Sequence, residues 1–278
     1  MILWSIFERI FLVALLLILT IGLAWWTSQR PSLYRDWEAM DAILPSISWS
    51  GDIVNIANIR NHEWQTDHDF IPGYYSDRFD LANLQRLSYI ITPFSDRDGP
   101  AHTMLSFSFS GGQDIVISAE LRKERGESFD ALKGILNQFE IQYIIASEDD
   151  IIKLRTNYRK NQVYMYPIDT PKEKIQVLFR SMLIRTDKLA REPEFYNTLW
   201  NNCTTTILHH ANALREEKLP WNSYTILPSH SDELVYGAGL IDTSLSLEAA
   251  RAYYRIDEIA RNAGTGTIFS EVIRKERK

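Results

Sequence analysis

Cysteine is almost absent from this chain. Cys203 is the single one in 278 residues, so no disulfide can close within the chain. No pair of histidines or cysteines has metal-ligand spacing on a plausible element, and no structural zinc or other metal is expected. No glycine-rich phosphate loop is present, which leaves nucleotide binding without support. The net charge is −6 and no basic cluster is interleaved with aromatics, so nucleic acid is not an expected partner. No cysteine lies near residue 24, which excludes a lipid-modified N-terminus. Repeats and low-complexity stretches are missing, and no pattern calls for a cofactor.

What is present begins with a long apolar run. Ile10 to Trp26 reads IFLVALLLILTIGLAWW, seventeen residues without a charge. This is the short end of a transmembrane span, and Trp25 and Trp26 suit a membrane interface. A cleaved signal peptide is the rival, with Gly22-Leu23-Ala24 as a weak small-x-small site. The run exceeds a usual signal core and aromatics follow at once, which favours an uncleaved anchor over residues 1–29. Residues 30–278 then form the main domain, with 34–100 as an N-terminal sheet extension and 241–278 as a C-terminal helical segment.

Strands are expected at Ile53–Ile59, Leu87–Thr92, Gln142–Ile145 and Val163–Pro167 from alternation and β-branched content. Helices are expected at Tyr34–Leu44, Phe129–Phe139, Glu148–Arg155, Lys172–Ala190 and Leu245–Asn262. Residues 220–240 read as a long Pro/Ser/Gly-rich loop. Strands gather in the first two-thirds with helices flanking them, which is an α+β arrangement.

The clearest local pattern runs from Ala101 to Glu120. Alternating apolar and polar residues flank Ser110-Gly111-Gly112, which makes a β-hairpin. A three-residue loop pairs Phe107 with Ile115 and Leu105 with Ile117 on one face, and Ser108 with Asp114 on the other. A one-residue slip would mix apolar with polar at every step. The favoured register sets His102 opposite Glu120, where a carboxylate can hold the imidazole's tautomer and stabilise the imidazolium.

Cys203 opens a helical pattern (Ile207, Leu208, Ala211, Leu214) and is preceded by the capping residues Asn201 and Asn202. A thiol on the first helical turn feels the positive end of the dipole, which favours the nucleophilic thiolate. His210 shares its face but sits roughly 10 Å on, at 1.5 Å rise per residue, too far to activate it. Blander readings stand beside these. A lone cysteine is more often an inert buried residue, and a cross-strand His–Glu pair is often a surface pair. Asn201 and Asn202 read as caps or as oxyanion donors, with capping the commoner use. Arg122, Lys123 and Arg125 read as a solvated face, and Tyr196 and Trp200 as core.

Residues 34 to about 215 resemble the Lnb N-terminal periplasmic domain family. The resemblance is carried by Arg35-Asp36-Trp37, Gly51-Asp52, Asn58-Ile59-Arg60-Asn61, Ala101-His102-Thr103 through Phe109, Ile117 through Glu124, and Phe195 through Thr205. That family is similar to the circularly permuted NlpC-type branch of the papain-like fold, in which the histidine strand precedes the cysteine helix. The resemblance implies Cys203 as nucleophile, His102 as base and Glu120 as its polar partner. It also implies an extracytoplasmic enzyme of the inner membrane that moves a fatty acyl chain from phospholipid to the N-terminal amine of a lipoprotein. A cell-envelope cysteine hydrolase would use the same residues. A membrane-tethered binding module without catalysis is the third reading.

Overall fold

A computed structural model describes residues 2–95, 99–264 and 266–275. The strands are β1 (Ser46–Ser50), β2 (Ile53–Arg60), β3 (Glu63–Trp64), β4 (Phe70–Ile71), β5 (Tyr74–Asp80), β6 (Leu84–Pro93), β7 (Ala101–Phe109), β8 (Asp114–Arg122), β9 (Glu140–Ser147) and β10 (Tyr164–Pro167). The helices are α1 (Ile2–Ser28), α2 (Ala131–Ile135), α3 (Glu148–Lys153), α4 (Lys172–Leu189), α5 (Cys203–Ala213), α6 (Ser223–Ile226), α7 (Ser231–Gly237), α8 (Leu247–Tyr254), α9 (Asp257–Arg261) and α10 (Phe269–Ile273).

The main sheet runs β1-β2-β9-β8-β7-β6-β10, with β5 also pairing β2. Among the described residues its pairings are antiparallel except for the parallel contact Arg60↔Ala146 between β2 and β9. Alternation along the central strands gives the sheet two apolar faces. Leu105, Phe107, Ile115 and Ile117 point to the face covered by α4, which brings Ile175, Phe179, Met182 and Leu183. Met104, Val116 and Ile144 point to the other, covered by Ile151 and Ile152 of α3, Ala260 of α9, and Phe269 and Ile273 of α10. This is the expected α+β class, with a mostly antiparallel sheet.

The second face is closed by a buried ion pair. Arg274 just after α10 donates through Nη1 and Nη2 to both oxygens of Glu148, each at 2.6 Å, and Ser106 Oγ donates to the same carboxylate at 2.5 Å. The Glu148 side chain is fully covered. Removing one partner of such a pair strands a buried charge, at a cost of about 3–5 kcal/mol. Arg274→Ala is therefore expected to lower the denaturant midpoint sharply. Glu148→Gln combined with Arg274→Met should recover most of that loss. A midpoint unchanged in Arg274→Ala would show that the pair does not hold the C-terminal segment.

Several expected elements differ. Tyr34–Leu44 is not helical, because its backbone is recruited by the end of β8. Trp37 bridges Glu124, Glu38 N–H donates to Lys123 O at 2.9 Å, and Asp36 O accepts from Arg125 N at 2.7 Å. Arg122 is buried rather than solvated. It lies over the Trp37 ring at 4.1 Å and donates to the carbonyls of Asp41 and Ala42. Leu245–Asn262 is two helices, broken where Arg255 turns extended, bridges Tyr164, and Ile256 N–H donates to Val163 O. In both places a strand edge captures backbone groups that a helix would use internally. The 220–240 stretch contains α6, a 3-10 turn at Pro228–His230 and α7, elements too short to show a 3.6-residue period. Phe129–Phe139 yields only the short α2, capped by Asp130.

The apolar N-terminus forms α1, of which Ile6–Ser28 has mean hydropathy 2.4 and is not covered by the rest of the protein. Its length and composition suffice for one membrane span; a signal sequence has the same properties. Just beyond it the chain is tied to β9, through Ser32 N–H to Glu140 Oε1 at 2.9 Å and Arg35 to Glu140 at 2.9 Å.

Candidate active site

Position 203 is fixed by the loop that leads to it. Tyr196 N–H donates to Phe139 O, and Asn197 Nδ2 donates to Ile135 O and Asn137 Oδ1. Asn197 and Asn201 exchange backbone bonds at 3.1 and 3.0 Å. Thr198 crosses α2 at Gly134, where an added Cβ would collide with the threonine hydroxyl. Only glycine allows that approach.

The loop ends in a capping box. Asn202 Oδ1 accepts from the N–H groups of Thr204 and Thr205 at 2.9 Å, and Thr205 Oγ1 accepts from Asn202 N–H at 2.9 Å. Cys203 is thereby the first residue of α5, buried, at the positive end of the helix. The Asn202 Nδ2 donates to Thr198 O and Asn201 Nδ2 to Phe195 O. Both amides thus serve the loop and the cap, and neither is shown aimed at the thiol as an oxyanion donor. Tyr196 is buried as expected, whereas Trp200 is exposed.

The hairpin has the expected register. Ser108↔Asp114, Phe107↔Ile115 and Leu105↔Ile117 pair, and Phe109 N–H donates to Gln113 O at 2.8 Å across a turn with positive φ at Gly111 and Gly112. The pairing between β7 and β8 stops at Leu105↔Ile117. Both strands keep their outer partners further on, to Pro93↔Ala101 and to Arg122↔Glu140. The strands therefore part where His102 and Glu120 lie, and the start of α5 meets β7 there. Thr204 Oγ1 bonds Thr103 Oγ1 at 3.0 Å, and Cys203 Sγ lies 4.0 Å from Ala101 O.

His102 and Glu120 meet by side chain rather than as ladder partners. His102 Nε2 is 3.4 Å from Glu120 Oε1, and Ser118 stands between them. Ser118 Oγ donates to Glu120 Oε1 at 3.0 Å, so it accepts from His102 Nε2–H at 2.6 Å. That relay leaves Nδ1 as the nitrogen for Cys203. Ser118 is a residue that sequence reasoning passed over, although period two puts it on the Glu120 face, one step along the strand. His210 bonds Tyr143 and Ser181 instead and takes no part.

The electrostatics favour a charged pair. Burial pushes the Cys203 thiol up, but hydrogen bonding and charge from His102, with help from Thr103, bring it down from 9.0 to about 7. Burial likewise opposes charge on His102, and the contacts to Cys203 and Glu120 outweigh it and raise the imidazole. Burial pushes Glu120 up, and His102, Arg155 and Arg60 override it to hold the carboxyl well below its usual range. An imidazolium–thiolate pair beside an ionised carboxylate has the parts needed to make and break a thioester. Among the described residues no group of His, Cys, Asp and Glu is placed to hold a metal ion.

A sheet with a buried thiol at a helix start, and a histidine held by a serine–carboxylate relay, defines a candidate thiol active site on an α+β scaffold. The profile of the Lnb N-terminal periplasmic domain matches residues 72–230, more than half of the chain and all of the segment carrying His102, Ser118, Glu120 and Cys203. The chain belongs to that family. No curated protein and no solved structure matches it. A periplasmic domain together with the apolar helix α1 fits a single-pass membrane protein.

Proposed function

We propose that this protein is a cysteine acyltransferase anchored in the inner membrane, moving a fatty acyl chain from phospholipid to the N-terminal amine of a lipoprotein. The observation that carries the reading is the Cys203 thiol at a helix start, lowered to about 7 beside a His102 whose other nitrogen is engaged by Ser118. The order of parts, histidine strand before cysteine helix, agrees with the permuted papain-like arrangement that the family resembles.

The cycle has two halves. The Cys203 thiolate attacks the ester carbonyl carbon, and the Cys203 backbone N–H receives the developing oxyanion. The C–O bond then breaks, His102 gives its proton to the departing alcohol, and a thioester remains. A lipoprotein amine attacks the thioester, His102 takes the amine proton, and the C–S bond breaks to release amide and thiolate. Glu120 acts through Ser118 to keep His102 oriented and charged, as the third member of a triad does.

Incubation with phospholipid and an N-terminal diacylglyceryl-cysteine peptide distinguishes transfer from hydrolysis. Transfer yields N-acylated peptide. Free fatty acid at the same rate with and without peptide would replace this reading with that of a hydrolase. The anchor is tested separately. The mature protein should stay with membranes through salt washing and osmotic shock and require detergent for release. A mature N-terminus near Trp25 would convert α1 into a signal sequence.

A further inference from the structure

Arg155 lies on a π-helical turn, Leu154–Tyr158, directly after α3, and Arg159 follows that turn. Arg155 is 6% exposed, yet its Nε meets no hydrogen-bond partner among the described residues. Its guanidinium rests 5.8 Å from the centre of the Phe94 ring. Arg60, at the end of β2, grips Asp150 through Nε at 2.8 Å and Nη2 at 3.1 Å, while its buried Nη1 is also unpartnered among the described residues. His62 accepts from Gly73 N–H at Nδ1, so its buried Nε2, unpartnered among the described residues, carries the hydrogen.

These three atoms are all donors. A buried donor that the protein does not satisfy costs about 1–3 kcal/mol, and more when charged. Burying three of them, at the end of β2, just after it and on the turn after α3, is therefore unlike ordinary core packing. Packing brings Arg155 towards the thiol: Phe94, whose ring its guanidinium lies over, donates its N–H to Pro100 O, next to Ala101, whose carbonyl lies 4.0 Å from Cys203 Sγ. Arg60 is tied to the same segment through Asp150 of α3. Burial, with Arg159 and Arg60, lowers Arg155 to about 10 against the opposing pull of Glu120 and Cys203. Arg159 in turn feels Glu120 and Arg60 after its own burial. The Glu120 carboxylate already accepts from Ser118 and faces His102, and no ion pair joins it to any of the three guanidinium groups among the described residues.

We propose that Arg155, with Arg159 and Arg60, forms an oxyanion subsite beside the thiol that holds the phosphate group of the acyl donor. Forked guanidinium groups match the tetrahedral oxygens of a phosphodiester, and a glycerophospholipid carries its ester carbonyls a few bonds from that phosphate. The assignment of the phosphate to an acyl donor rests on the acyltransferase reading. The oxyanion subsite itself does not.

The test is a binding measurement that needs no turnover. Full-length Cys203→Ala protein in non-ionic detergent is titrated with dihexanoyl phosphatidylglycerol, with uncharged dihexanoylglycerol and with inorganic phosphate. The charged lipid should bind about tenfold or more tighter than the neutral one. Adding Arg155→Gln and Arg159→Gln should remove that advantage while leaving dihexanoylglycerol binding unchanged, and an unaltered melting midpoint confirms that the variant folds. Arg155→Lys should keep part of the preference, because charge survives and the fork does not. Inorganic phosphate binding as tightly as the charged lipid would support the oxyanion subsite with free phosphate as its source. Equal binding of charged and neutral lipid by the parent, or an undiminished preference in the folded double variant, overturns the proposal. A missing acyl adduct on Cys203 in the unsubstituted protein would count against the acyltransferase and leave this result standing.

Discussion

Cys203→Ala is expected to lose acyl transfer by a factor on the order of 10³ or more while keeping its fold. The thiol is buried, but exchanging a sulfhydryl for a hydrogen on the same β-carbon leaves a small space and no stranded charge. The cap that positions it uses Asn202, Thr204 and Thr205, none of which depends on the sulfur. Melting should therefore shift by no more than about 1 kcal/mol of stability. Full activity in the folded variant would exclude nucleophilic catalysis by this thiol.

His102→Ala is expected to cost a comparable factor and, in addition, to change how the thiol titrates. With His102 in place Cys203 titrates at about 7, because the imidazolium opposes the effect of burial. Thiolate is the deprotonated form, so alkylation by iodoacetamide should rise as pH passes through about 7. Without the imidazole, burial acts with less opposition and the thiol moves up, so the alkylation midpoint moves to higher pH. At neutral pH the variant should react more slowly, beyond any change in access. An unmoved midpoint would show that His102 does not hold the thiolate. Glu120→Gln is expected to be milder, on the order of tenfold. The amide oxygen still accepts from Ser118, but the charge that supports the imidazolium is gone. The thiol midpoint should then shift in the same direction as in His102→Ala, by less.

The hairpin was legible because its loop and alternation permit one register. Phe107 and Ile115 cannot both face the core under a one-residue slip, and the structure pairs them. That register brought His102 and Glu120 to the same place, although it did not reveal that the strands part there and that Ser118 fills the space. The α5 start was legible from Asn202 and the following periodicity, and the structure adds the capping box. Proximity of Cys203 to His102 was not legible from spacing, since 100 residues and the strands β8, β9 and β10 intervene. It came from the resemblance. Arg155 and Arg159 gave no signal, because a π-helical turn has no hydrophobic period of its own and their neighbour Arg60 is distant in sequence. Tyr34–Leu44 misled because helix periodicity there coincides with residues that serve the β8 edge, among them Trp37 under Arg122 and the buried Asp41, which accepts from Gln142 at 2.6 Å. Local pattern loses wherever tertiary partners claim the backbone.

Mass spectrometry of the full-length protein after incubation with phospholipid tests the thioester most directly. The account predicts a fatty-acyl mass increase on the peptide containing Cys203. The adduct should disappear on treatment with neutral hydroxylamine and should not form in Cys203→Ala. An unmodified Cys203 in protein that nevertheless transfers acyl chains, or an acyl group found on another residue, would contradict it.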